Sequence, residues 1–194
     1  MYKISCAGGG VGFNVSKIRP KGDDIGSVPN SAPGAVSVLK MINEVGEHVR
    51  AGKNRRTALM GILNITHPDL LDFLHVKLDQ GELNNFNISV AITDRFLEAV
   101  ELDENWFFTF NNKEYHSYDV VRGEAETIQV IAIDEEDALA RAENFYKINW
   151  ADTFKVLGRR DIKARELWNI IWKNSVESGD PGIYNIDLAN RYTN

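Results

Sequence analysis

Strand-like and helix-like segments alternate along residues 7–100, and this alternation dictates the class of fold. Three strand-like segments are each followed by a segment whose apolar residues recur at helical spacing. Because parallel strands need long crossovers, usually helices, the pattern predicts a parallel α/β sheet. The clearest strand, residues 86–92, has small or polar residues at every second position: Asn87, Ser89 and Ala91.

The alternation breaks after residue 102. Residues 103–160 contain a predicted β-hairpin with its turn at residues 111–113, a further strand and an amphipathic helix over residues 135–148, so we expect a small α+β insertion there. Residues 161–194 return to a helix over residues 162–178, which Gly179 is predicted to end, and to a strand, while the last four residues carry no structural signal. The sequence therefore predicts three parts, namely residues 1–102, 103–160 and 161–194.

Composition and charge argue against several classes of protein, including membrane-spanning and secreted ones. The chain has 194 residues, of which 43% are hydrophobic, so it can bury a core as one domain or two small ones. A single cysteine, Cys6, cannot form a disulfide within the chain, and it suits a reducing compartment. No apolar run reaches the ~20 residues of a membrane helix. Neither a signal peptide nor net basic charge is present, so we expect a cytoplasmic protein that binds neither membrane nor nucleic acid directly.

Two motifs suggest contact with a nucleotide. Residues 7–12 contain four glycines, but Phe13 stands where a dinucleotide fingerprint needs a third glycine, and the ending of a P-loop is missing. This cluster is either a tight turn or a close backbone approach to a ligand. Residues 50–56 carry four cationic side chains in seven positions. They form either a phosphate-binding loop or a solvated turn.

Other catalytic patterns are weak. The four histidines are not at metal-ligand spacing, Cys6 has no neighbouring histidine, and no serine lies in a nucleophile elbow. The small polar face of residues 86–92 would line the interior if the sheet closes into a barrel, and otherwise it forms a strand edge or polar pocket.

Four stretches, taken in order, resemble the catalytic subunit of ribonucleotide reductase, most closely the class II, adenosylcobalamin-dependent type: GGGVGFNVSKIRPKGDDIGS, NRRTALMGILNITHPDLLDFLHVK, LNNFNISVAITDRFLEAV and ESGDPGIYNID. They cover about residues 7–100 and 162–187. The resemblance implies the α/β fold of that family, a ten-stranded barrel made of two parallel halves. This chain would supply much of the first half, with residues 103–160 inserted.

The resemblance also implies roles for individual residues. The substrate would contact Gly10, Gly12 and Asn14, an arginine of the second allosteric loop that best matches Arg55, and the polar strand face at Asn87. The deoxynucleotide effector would be contacted by residues of both allosteric loops: Arg19, Lys21, Gly52, Lys53, Asn54 and Arg56.

The family reduces ribonucleotides for DNA synthesis through a thiyl radical on a cysteine within an Asn-x-Cys-x-Glu motif, and this motif is missing here. Cys6 lies too close to Gly8 to match the upstream redox cysteine of the family. We therefore expect a reductase fragment that is inactive alone and needs a complementary chain carrying that cysteine. Adenosylcobalamin would serve the complete enzyme. The alternatives are a non-catalytic nucleotide-binding or interfering module and a non-functional remnant.

Overall fold

The computed structural model describes residues 3–4, 7, 9–48, 57–78, 82–123, 126–147 and 152–192. The helices are α1 (Gly34–His48), α2 (Leu70–His75), α3 (Asp94–Leu102), α4 (Glu135–Phe145), α5 (Ala164–Ser178) and α6 (Ile186–Tyr192). The strands are β1 (Gly10–Asn14), β2 (Ala58–Asn64), β3 (Phe86–Ile92), β4 (Asn105–Trp106), β5 (Phe108–Phe110), β6 (Lys113–Arg122), β7 (Glu126–Ala132), β8 (Phe154–Arg160), β9 (Ile162–Lys163) and β10 (Gly182–Asn185).

A four-stranded parallel sheet in the order β1-β2-β3-β10 forms the main body and confirms the predicted parallel α/β architecture. One face of this sheet is buried against helices. Its core residues include Leu39 of α1, Leu63 of β2, Phe73 of α2, Phe96 of α3 and Leu167 of α5, all fully buried. Burying such side chains contributes about 1.5–3 kcal/mol each, so the helix-covered face stabilises the sheet.

Residues 103–160 contain the second sheet, and we call them the α+β segment. The predicted hairpin is confirmed by β5 and β6, which pair antiparallel around a turn at Asn111 and Asn112, both with positive φ. β6 lies between β7 and β8, and α4 packs on this sheet through Ala138 and Ala142.

β8 was not expected from the sequence. Its residues FKVLGRR carry a glycine and two arginines, and none of them is fully buried, so its hydrophobic pattern is weak. The strand forms because it pairs with β6, with a bulge near Gly158, whose φ is +149°. Tertiary pairing here overrides a poor local strand signal.

Helix ends differ from prediction in three places. The helix predicted for residues 135–148 ends at Phe145, and the one predicted from residue 162 begins at Ala164, since residues 162–163 pair with β4. The C-terminal residues, which carried no structural signal, include the end of α6. The predicted helix-ending role of Gly179 is confirmed by its φ of +81° and its hydrogen bond to the Ser175 carbonyl. No helix among the described residues is long and apolar enough to span a membrane.

Candidate functional site

The second face of the parallel sheet is exposed at its β1 side, including Gly10, Gly12, Asn14 and Met60, and we call it the open sheet face. Side chains alternate between the two faces of a strand, so Gly10, Gly12 and Asn14 of β1 share one face. The register then places Gly12, Met60 and Asn87 in one row across three strands. Met60 is 40% exposed, and Asn87 is exposed as well. The structure thus brings four of the predicted substrate residues onto a single surface.

A second row lies one step along the same face. It contains Asn14, Ile62, Ser89 and Gly182. A β-carbon at Gly12 would meet no atom within 4 Å, so the space above this residue is open. Adjacent strands lie about 4.8 Å apart, which puts the backbones at Gly12 and Asn87 roughly 10 Å from each other.

The open sheet face is chemically neutral, because its strand residues are glycines, amides, small side chains and a few apolar groups. The Oδ1 atom of Asn14 accepts a hydrogen bond from the Ser16 amide at 3.0 Å, and this contact orients the side-chain amide. The open sheet face can therefore form hydrogen bonds with a base or a sugar, and it leaves room for a flat group. It does not offer charges for phosphate.

A cavity of about 310 Å³ adjoins this face at the carboxyl ends of β1 and β2. Its lining includes Lys17, Asn64 and Thr109. In the part of the chain that the structure describes, the Oδ1 atom of Asn64 is buried without a hydrogen-bond partner. Ligands of open α/β sheets bind at the carboxyl ends of strands, so this cavity extends the candidate site.

The loop of residues 19–33 follows β1 and carries two predicted effector contacts. Arg19 is exposed, and its guanidinium donates a hydrogen bond to the carbonyl of Asp24. The ammonium group of Lys21 lies 3.3 Å from a carboxylate oxygen of Asp72 and 4.9 Å from the ring centre of Phe145. Arg19 therefore presents its charge at the surface, whereas the charge of Lys21 is already engaged within the protein.

A buried polar network, which sequence reasoning missed, fixes both ends of this loop. The carboxylate of Asp69 is 6% exposed and accepts hydrogen bonds from the amides of Lys21 at 2.8 Å and Ala35 at 2.7 Å. The Nδ1 atom of His67 accepts from the Asp69 amide, so its Nε2 carries the proton donated to the Ile18 carbonyl. Asp69 precedes α2, but its side chain makes no capping hydrogen bond to this helix.

Burial raises the pKa of Asp69 above its ordinary value, although the backbone donors at Ala35 and Lys21 oppose this effect. Both carboxylate oxygens are occupied by amide donors, so the group works as a double acceptor that joins the loop to the start of α2. The only sequence signal was an acidic residue after a proline, which does not reveal partners 34 and 48 positions away.

We expect Asp69→Asn to lower the free energy of unfolding by about 2 kcal/mol, because an amide nitrogen would then face a backbone donor. Chemical denaturation, followed by circular dichroism, measures this free energy of unfolding. Asp72→Asn is the matched control. Its side chain is 42% exposed and pairs with Lys21, so its loss is expected to cost less than about 1 kcal/mol. Equal costs for the two variants would contradict the double-acceptor role.

The predicted contacts of the second basic loop lie outside the described residues: Gly52, Lys53, Asn54, Arg55 and Arg56. They stay predictions. Within the described ranges, no three His, Cys, Asp or Glu side chains come together as metal ligands.

A parallel sheet with helices on one face and an open second face is the architecture of half an α/β barrel. The sequence identifies which barrel this is. A family profile described as "Ribonucleotide reductase, barrel domain" matches residues 1–194, and the chain belongs to this family. The match includes residues 103–160, where the sequence shows no recognisable family motif.

Curated relatives agree with this assignment. The chain is 33% identical over 189 residues to a vitamin B12-dependent ribonucleoside-diphosphate reductase of Thermoplasma acidophilum, with 97% of the chain covered. It is 32% identical over 190 residues to a protein of the same description from Mycobacterium tuberculosis, also with 97% covered. It is 29% identical over 196 residues to a ribonucleoside-diphosphate reductase large chain of Schizosaccharomyces pombe, with 98% covered. The chain spans 19%, 21% and 22% of these relatives, respectively, or about a fifth of their length.

Proposed function

We propose that this chain supplies part of the nucleotide-binding barrel of a ribonucleotide reductase, the enzyme that converts ribonucleotides to deoxyribonucleotides. The observation that carries the proposal is the shared surface of Gly10, Gly12, Asn14 and Asn87 on the open sheet face. The names of the relatives, ribonucleoside-diphosphate reductases, support the same activity.

In this proposal, Gly10 and Gly12 let a ribonucleotide lie close to the backbone of β1, because glycine has no side chain to separate the ligand from the backbone. The amides of Asn14 and Asn87 form hydrogen bonds with the base or the ribose. Phosphate groups bind to cationic side chains or to backbone amides at helix N-termini, and the strand residues of the open sheet face provide no cations. We propose that Arg55 supplies such a contact to the substrate.

The deoxynucleotide effector is proposed to bind between two loops. Arg19 and Lys21 belong to the first, and the second provides Gly52, Lys53, Asn54 and Arg56. Lys21 can take this role only if its ammonium group leaves the Asp72 carboxylate and pairs with a phosphate of the effector. Guanidinium groups bind phosphate bidentately, so Arg19, already at the surface, is the stronger ligand of the first loop.

The radical step is proposed to come from a complementary segment that carries the Asn-x-Cys-x-Glu motif, in a separate chain or in a longer form of this one. Two edge strands of the parallel sheet, β1 and β10, offer backbone groups for further strands. Several relatives are described as vitamin B12-dependent, so adenosylcobalamin is the proposed cofactor. We assign none of the strand residues of the open sheet face to the cofactor.

Asn87→Leu tests the substrate role. In an enzyme reconstituted with the complementary segment, we expect deoxynucleotide formation to fall on the order of 10-fold or more, because a hydrogen bond to the substrate is lost. The free energy of unfolding should change by less than about 0.5 kcal/mol, since the side chain is exposed.

Asn169→Leu is the matched control, because Asn169 is exposed on α5. It should leave both quantities unchanged. Full activity of Asn87→Leu, or equal losses of activity in the two variants, would remove the assignment of the open sheet face to substrate.

A second candidate function is a nucleotide-binding module without chemistry, favoured by the presence of a single cysteine in the sequence. Calorimetry with dATP, dTTP and dGTP, followed by turnover assays with the complementary segment, separates the two. Binding that never leads to turnover would favour the module.

A further inference from the structure

We infer that Arg141 of α4 is a positioning residue for the loop of residues 19–33, through which the α+β segment sets the conformation that this loop presents to a nucleotide. The nucleotide part of this inference rests on the proposed function. The contacts between α4 and this loop, which we call the clamp, are observed in the structure and do not depend on that function.

The guanidinium of Arg141 joins three acceptors at once. Its Nη2 donates to a carboxylate oxygen of Asp23 at 2.7 Å, its Nε donates to Asp137 at 2.8 Å, and its Nη1 donates to the carbonyl of Lys21. Two of these acceptors belong to the loop, and the third belongs to α4 itself. The Arg141 side chain is only 5% exposed, so these bonds form where water does not compete.

The second carboxylate oxygen of Asp23 is held from another direction. It accepts a hydrogen bond from the hydroxyl of Tyr115 at 2.8 Å, and the Arg141 guanidinium lies 5.5 Å from the centre of the Tyr115 ring. Burial, followed by the bond to Asp23, raises the pKa of Tyr115, so the hydroxyl keeps its proton and remains a donor. Both donors come from the α+β segment, which therefore fixes Asp23 through two side chains.

The backbone of the loop also packs directly against α4. Gly22 has a φ of +85°, and a β-carbon there would lie 2.9 Å from the ring of Phe145 and 3.1 Å from Cγ of Arg141. At the far side of the loop, the Asn144 side chain donates to the carbonyl of Asn30 at 2.9 Å. One helix thus contacts the loop at residues 21–23 and again at residue 30.

These contacts bear on the exposed Arg19, which lies two residues before Lys21. An exposed loop of polar residues has many accessible conformations, and ordering it costs conformational entropy at each residue. A loop already held in its binding conformation does not lose that freedom when a ligand arrives. The clamp is therefore expected to raise nucleotide affinity without Arg141 touching the nucleotide.

Two variants test the clamp. Arg141→Lys keeps the positive charge but cannot span three acceptors, whereas Arg141→Gln removes the charge. Arg160→Gln is the matched control, because Arg160 is 47% exposed on β8 of the same segment and pairs with Glu166. In hydrogen exchange of the purified protein without nucleotide, both Arg141 variants should speed amide exchange in residues 19–33. In both Arg141 variants, residues 86–92 should exchange as fast as in the unsubstituted protein. In Arg160→Gln, residues 19–33 should also exchange at the unsubstituted rate.

A second readout is the concentration of deoxynucleotide needed for half-maximal binding. It should rise on the order of 10-fold in Arg141→Gln and less in Arg141→Lys. Asp23→Asn should reproduce the effect, and the double variant should show less than the sum of the single effects, since both residues act through one contact.

Unchanged exchange in residues 19–33 overturns the inference, and so does faster exchange spread over the whole chain, because Arg141 would then be a general stabilising residue. Faster exchange confined to the loop with unchanged nucleotide affinity overturns the nucleotide part. If the unsubstituted protein binds no deoxynucleotide, the proposed function of the loop fails, and the exchange data still decide whether Arg141 clamps it.

Discussion

Gly34→Ala is expected to lower the free energy of unfolding by about 3 kcal/mol or more. Gly34 has a φ of +82°, a region that costs a residue with a β-carbon about 1–2 kcal/mol. The added carbon would also lie 2.7 Å from the Asp69 carboxylate and 2.7 Å from Cβ of Lys21, so the buried network must move to admit it. Overpacking of this kind adds about 1–3 kcal/mol.

Gly26→Ala separates the two contributions. Gly26 has a φ of +61°, yet a β-carbon there would meet no atom within 4 Å. This control variant should cost only the backbone strain, about 1 kcal/mol. Urea denaturation of both variants gives the comparison, and similar losses would show that the space around Gly34 is not restricted.

Gly12→Val is expected to reduce deoxynucleotide formation on the order of 100-fold in the reconstituted enzyme, because a branched side chain would occupy the surface proposed for the substrate. The free energy of unfolding should not fall, since the space above Gly12 is open and valine suits a strand. Initial rates at saturating nucleotide, paired with denaturation curves, measure both effects.

Thr127→Val provides the matched control for Gly12→Val. It introduces the same side chain at an exposed strand position of β7, in the other sheet. Its activity should equal that of the unsubstituted protein. If Gly12→Val is equally active, the substrate does not lie on the surface above Gly12.

The sequence predicted the elements whose local pattern is strong. The strand at residues 86–92 alternates with period two, the hairpin has Asn111 and Asn112 at its turn, and Gly179 ends a helix. These signals come from neighbouring residues, and the structure confirms them. Strand β8 and helix α6 were missed because their apolar residues are few and half exposed, so they depend on pairing and packing with distant segments.

The candidate site divides in the same way. The sequence predicted a tight turn or a close backbone approach at residues 7–12, and only the structure shows that Gly10, Gly12 and Asn14 belong to β1 and share a face with Asn87. The clamp could not be predicted, because Arg141 lies 118 positions from Asp23. A charged residue in an amphipathic helix normally faces solvent, and nothing local shows that Arg141 does not.

The short ladder between β4 and β9 joins the two ends of the α+β segment. Asn105 pairs with Lys163 and Trp106 with Ile162, while the Ala164 amide donates to the Glu104 carbonyl at 3.0 Å. The two ends of the α+β segment therefore lie side by side. Phe108 and Tyr115 of this segment are buried in the same hydrophobic core as Phe96 of α3 and Leu167 of α5, so we expect the segment and the parallel sheet to unfold in one cooperative transition.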